Sequence, residues 1–141
     1  MIAKHLDLRD RTKQFALRIL KVCDSLPTTE AARTIGRQLL RSGTSVAANY
    51  RAAGRARSRA EFVAKMGVVV EEADESVFWL DLLVESGMMA KPRLNELVAE
   101  ANELVSIFVA SQKTARGRSA HPITRSPDHP IFGSPDQTSE A

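Results

Sequence analysis

Apolar positions in this chain recur at steps of three and four residues, and no stretch shows sustained strict alternation. That periodicity belongs to helices with one buried stripe rather than to half-buried strands. The first stripe runs Leu8, Thr12, Phe15, Ile19, Val22 and Leu26, and Pro27 ends it. A second helix is predicted over about 29–53, with Gly54 placed to follow its last turn as a C′ residue. The third opens on Ser58-Arg59-Ala60-Glu61, a capping box in which Ser58 caps and Glu61 reaches back. It continues through Phe62, Met66, Val69, Ala73, Leu80 and Leu83 to a stop at Ser86-Gly87. The fourth begins near Pro92, a residue suited to the first helical position, and its stripe is Leu94, Leu97, Val98, Ala101, Leu104, Val105 and Phe108. Short connections favour antiparallel neighbours. The pattern therefore predicts an all-α, antiparallel up-down four-helix bundle.

The third helix is apolar on more than one side. Val63, Val70, Val77 and Val84 form a second line beside the first stripe. Around its C-terminal half, Phe78, Trp79 and Leu82 carry apolar character nearly all the way round. One bundle core buries a single stripe, so the surplus calls for a further surface to cover it. Self-association is the expectation, with Val63, Val70, Val77, Phe78, Trp79 and Leu82 at the subunit contact. The alternative is that Phe78 and Trp79 lap over the helix ends.

Composition changes the picture near Arg116. Residues 117–141 hold four of the six prolines and show no helical or strand period. Such a segment buries too little apolar surface to offset its ordering entropy, so 117–141 is expected to be a disordered tail behind a 1–116 bundle. No window approaches about 18 uninterrupted apolar residues, which excludes a helical membrane span. The N-terminus has no apolar run of the signal-peptide kind, and the single cysteine, Cys23, has no internal disulfide partner. Both point to the cytoplasm.

Charge is more informative in its placement than in its sum of +3. Residues 31–60 contain seven arginines and no Asp or Glu. Five of them, Arg33, Arg37, Arg41, Arg51 and Arg55, fall within about 80° on one helical face, opposite Ile35, Leu39, Val46 and Tyr50. Forked guanidinium groups in a row suit phosphate oxygens, so the face is a candidate nucleic-acid contact. Tyr50 is the only aromatic in this helix and lies on the apolar side, which leaves no stacking platform for reading bases. Binding would be driven by charge and shape. In the competing arrangement, Glu71, Asp74, Glu75, Asp81 and Glu85 of the third helix neutralise the arginines.

Catalytic and cofactor chemistry finds no support. His5, His121 and His129 lie at the start or in the tail, and the predicted core has no histidine to complete a carboxylate metal site. No Gly-rich loop precedes a Lys-Ser or Lys-Thr pair; Gly36 and Gly43 share one helical line and suit close helix packing instead. Asn49, at the edge of the packing face, is expected to bond a neighbouring helix or fix register. Cys23 reads as a small apolar filler. The chain is expected to have no catalytic residue, no metal and no cofactor.

Ser45-Val46-Ala47-Ala48-Asn49-Tyr50-Arg51, followed by Arg57-Ser58-Arg59-Ala60-Glu61-Phe62 and Glu72-Ala73-Asp74-Glu75-Ser76-Val77-Phe78-Trp79-Leu80, resembles a bacterial family. It is the family of small four-helix-bundle proteins first recognised in intervening sequences of the 23S ribosomal RNA gene. The resemblance covers about 110 residues and implies ring-forming bundles, commonly pentamers, with a basic surface suspected of touching nucleic acid. Accessory subunits of diversity-generating retroelements share that architecture. Many relatives carry Pro where this chain has Ala47 and an acid where it has Arg51, so this helix is the more basic. The family has no accepted catalytic residues, and none is carried over.

Taken together, the expectation is a cytoplasmic, ring-forming, non-catalytic accessory protein that binds RNA or DNA non-specifically through Arg33, Arg37, Arg41, Arg51 and Arg55. The rival is a scaffold that docks an acidic protein partner with no nucleic-acid contact.

Overall fold

The computed structural model describes residues 7–119. They form four helices: α1 (Leu8–Asp24), α2 (Glu30–Ala53), α3 (Arg59–Glu85) and α4 (Lys91–Ser119). Each helix packs antiparallel against the next, and α1 closes onto α4 over a thinner seam. The expected four-helix bundle is what forms.

Local chemistry sets the starts. Asp7 accepts the Arg9 N–H at 3.0 Å, Thr29 accepts that of Ala32 at 3.1 Å, and Ser58 accepts that of Glu61 at 3.0 Å. Each satisfies a donor that has no partner within its helix. Glu61 does reach back, but to the N–H of Arg57, one residue before the cap. Gly54 ends α2 in the right-handed region, at φ −66°, so the left-handed turn expected there does not form. That conformation occurs at Gly87 (φ +83°), where α3 stops and the absence of a Cβ matters. Pro92 sits in the first turn of α4, one residue after its start.

The core is built by the predicted stripes. Phe15, Ile19, Leu39, Val46, Met66, Val69, Leu80, Leu83, Leu94, Leu104 and Phe108 are all buried. Gly36 and Gly43 bring α1 and α2 close: a Cβ on Gly43 would lie 2.8 Å from Ile19, and one on Gly36 3.0 Å from Leu26. Ser42 of α2 and Ser76 of α3 are buried with their hydroxyls 2.9 Å apart, each also within reach of a carbonyl of its own helix. A buried polar pair of this kind favours one register, because sliding either helix breaks the bond between the hydroxyls and leaves each only the carbonyl of its own helix. Asn49, expected to do this, instead donates to the Ser45 carbonyl of its own helix at 2.9 Å.

The helix α4 runs to Ser119, three residues beyond the composition break at Arg116. Gly117 therefore lies inside a helix rather than at the head of a tail. The remainder of the expected disordered segment, 120–141, lies outside the described residues.

Candidate functional site

Because Ile35, Leu39 and Val46 are drawn into the core, the opposite face of α2 is forced outward. Arg33, Arg37, Arg41 and Arg51 are exposed on it, as their spacing requires; Arg55, placed on the same face by the sequence pattern, is exposed in the turn that follows, because α2 ends at Ala53. Their surroundings differ. Arg33 donates to the Thr28 carbonyl at 2.9 Å, which positions its side chain without neutralising it. Arg41 is matched by two acids of α3: its Nη1 donates to Glu72 at 3.1 Å and its Nη2 to Glu75. Arg37, Arg51 and Arg55 have no ion pair among the described residues. Of the five acids expected to neutralise the row, only Glu75 does so; Glu72, its second partner, lies one turn closer to the start of α3.

Glu75 is a junction. Besides Arg41 it accepts the indole N–H of Trp79 at 2.9 Å, and the Trp79 ring meets Phe78 edge to face at 4.8 Å. The Arg41 hydrogen bond, followed by that from Trp79, holds the Glu75 carboxyl below the ordinary glutamate range, against a smaller opposing effect of burial. Arg41 is correspondingly pushed further from deprotonation by the Glu75 bond. One residue of the predicted basic face is thus joined to two of the predicted subunit-contact residues.

At the far end of α2 the arrangement is open. A cleft of about 350 Å³ between α2 and α3 is lined by Ala48, Arg51, Ala52, Arg55, Glu61 and Lys65. Two alanines in its wall leave the space that longer side chains would fill. Glu61 is the acid there, and it is engaged by Arg57, with the side chains 3.7 Å apart.

The expected contact residues of α3 divide between two sides. Val63, Val70 and Val77 are half-buried. Val70 and Val77 pack against the protomer's own core, and the Val63 carbonyl accepts from Gln112 of α4 at 3.0 Å. Further along the same seam, Val84 and Val98 help to line a groove of about 200 Å³. Trp79 and Leu82 are half-buried against that same core, which leaves Phe78, 54% exposed, as the most exposed large apolar side chain described. Tyr50 sits on the apolar side, its ring 5.7 Å from that of Phe108; burial first, then Asp7, pushes its phenol up, with Arg9 opposing.

Two features escaped the sequence reading. Arg11 makes a two-pronged pair with Glu100 at 2.8 and 3.1 Å and also reaches Glu103 at 3.4 Å, clamping the thin α1–α4 seam. Their separation in the chain hides that pair, since no local spacing brings residues 11 and 100 together. The Ser42–Ser76 bond is the other; a serine on the core side of each helix was its only trace. Cys23 contacts the Gly36 carbonyl at 3.4 Å, and burial, then Asp24, pushes its thiol up to about 11. Among the described residues no group of His, Cys, Asp and Glu could hold a metal ion, and no helix is long and apolar enough to cross a membrane.

The model of the family described as 23S rRNA-intervening sequence protein matches residues 4–110. The chain belongs to that family. A crystal structure from Bacteroides thetaiotaomicron, described as a protein of unknown function from the S23 ribosomal protein family, superposes with a TM-score of 0.71 at 30% identity. The match covers 76% of this chain and 99% of that one, so the family bundle accounts for nearly all of the shorter relative. No curated protein matches the sequence.

Proposed function

We propose that this family member is a non-catalytic, ring-forming accessory protein that contacts RNA or DNA through the backbone phosphates. The observation that carries the reading is on α2 and the turn after it, where Arg33, Arg37, Arg51 and Arg55 are exposed and have no acid paired to them among the described residues. Arg37, Arg51 and Arg55 in that state keep their charge and both prongs of the fork for phosphate oxygens, and Arg33 keeps its charge with one prong on the Thr28 carbonyl. Each such contact contributes roughly −0.9 to a duplex-binding salt slope. The exposed Phe78, backed by Trp79 and Leu82, supports a subunit contact on a different part of the surface, so assembly and polyanion binding do not compete for the same residues. Repetition of the cationic face around a ring strengthens the field that each subunit presents. The bacterial cytoplasm is the compartment that this reading implies.

Size exclusion with light scattering, at low and moderate salt and with RNA or duplex DNA present, tests it. The expected result is a multi-subunit species that carries nucleic acid at low salt and releases it at moderate salt. An assembly that stays free of nucleic acid at every salt moves the arginines to an acidic protein partner.

A further inference from the structure

The fold gathers cations that are far apart in the chain. Gln112 of α4 reaches the Val63 carbonyl of α3, which puts those two residues at one level of an antiparallel pair. Arg116 lies one turn beyond Gln112 and Arg59 one turn before Val63, about 6 Å along the axis in each case, so they share the next level. On the other flank of α3, Arg51, Arg55 and Lys65 line the α2–α3 cleft. The start of α3 therefore has Arg51, Arg55 and Lys65 on one flank and Arg59 and Arg116 on the other, with Lys113 exposed on α4 beside them.

Acids are scarce here. Residues 45–70 contain five cations and one acid, Glu61, and α4 beyond Glu103 contains no acid at all, while the start of α1 brings Asp7 and Asp10 to this end beside Arg9 and Arg11. Glu61 is taken by Arg57. The Nε of Arg59 is buried and has no hydrogen-bond partner, so this guanidinium is partly desolvated and un-neutralised. Such a cation attracts an anion more strongly than a fully hydrated one does. The N-terminus of α3 adds positive potential of its own. Lys113 and Arg116 also complement the negative end of α4, a role that needs no ligand. The rest of α3 is unlike this end: at its middle Glu72 and Glu75 hold Arg41, and toward its C-terminus Asp81 and Glu85 flank the α3–α4 groove opposite Lys91.

We propose that the nucleic-acid backbone docks on this end of the bundle, across α2, the start of α3 and the last turns of α4, rather than along the length of α2. The site rests on the nucleic-acid reading above. Its ligand is a run of phosphodiesters, one of them seated in the α2–α3 cleft by Arg51, Arg55 and Lys65.

Fluorescence anisotropy with a labelled RNA 20-mer and the matching DNA duplex, in the full chain, compares three double variants: R51E/R55E, K113E/R116E and R33E/R37E. Circular dichroism and light scattering check that each keeps its fold and assembly, and K113Q/R116Q replaces the α4 variant if the glutamates disturb it. The first two are expected to weaken binding at least tenfold and to make the salt slope shallower by about 2, the value for two lost phosphate contacts. R33E/R37E removes charge from the same face but farther from the docked end, and is expected to weaken binding less than either of the other two. An unchanged affinity in the α4 variant, together with equal losses in the other two, overturns end-on docking and leaves the nucleic-acid reading intact. Wild type that binds neither probe at any salt overturns both.

Discussion

Arg41 and Arg51 stand on the same face of the same helix, yet one is spent and the other is free. Arg41 meets Glu72 and Glu75, whereas Arg51 looks over a cleft walled by alanines and shared with Arg55 and Lys65. A helical wheel assigns the two residues one role. The neighbouring helix separates them, because α3 carries its acids toward its middle and C-terminal half and its cations at its start. A cationic stripe on one helix thus describes a capacity, and the partner helix decides where along the stripe that capacity remains.

The contrast depends on register, so the largest effect comes from disturbing how α2 is seated. Gly43→Ala puts a methyl group 2.8–3.2 Å from three atoms of Ile19, including its Cβ. Overpacking of this sort costs about 1–3 kcal/mol, against a helix-propensity gain of about 1 kcal/mol. A net loss of up to about 2 kcal/mol in urea unfolding is expected. Gly54→Ala, with right-handed backbone and no contact closer than 3.5 Å, serves as the control and is expected to be neutral or slightly stabilising.

A sharper test makes the spent arginine resemble the free one. The double change E72Q/E75Q removes both charges that hold Arg41 while keeping side-chain shape. The expected result is a gain of less than about twofold, from the change in net charge alone, with an unchanged salt slope, because Arg41 stands about 15 Å along α2 from Arg51 and outside end-on docking. Binding about threefold tighter with a slope steeper by about 1 would mean that the backbone runs along α2 instead.

The smallest effect is on the ion pair itself. Arg41→Ala removes contacts that are about half exposed, so the cost at neutral pH is expected to stay below about 1 kcal/mol. The Glu75 pKa is lowered in the folded protein, which means that the associated stability is present above the ordinary glutamate range and is lost as pH falls through the lowered folded value. The gap between wild type and variant should accordingly close on acidification. In an NMR titration of the variant, Glu75 should move back toward its ordinary value and remain slightly low through the Trp79 bond.

How much of this was legible in the sequence follows from the range of each interaction. The stripes of all four helices, the Ser58 cap and the glycine line that receives Ile19 and Leu26 are governed by neighbours along one helix or by size alone, and they are read off directly. Left-handed geometry went to Gly87 instead of Gly54 because both glycines are permissive and only the path of the chain selects between them. Neutralisation of Arg41 but not Arg51, the Arg11–Glu100 clamp and the gathering of Arg59 with Arg116 are set by which levels of antiparallel helices coincide. Those levels are fixed by packing such as the Ser42–Ser76 bond, and no spacing within one helix encodes them.

The only tryptophan of the chain, Trp79, is also the residue whose indole proton is held by Glu75 and whose ring abuts the exposed Phe78. Its emission is therefore a built-in optical gauge of one region of the surface. Light from this side chain would register a second subunit covering Phe78, or a proton arriving on Glu75, without any attached dye. The cationic end contains no comparable fluorophore, so the same signal would stay quiet while phosphates dock there, and the two events could be timed separately in one cuvette.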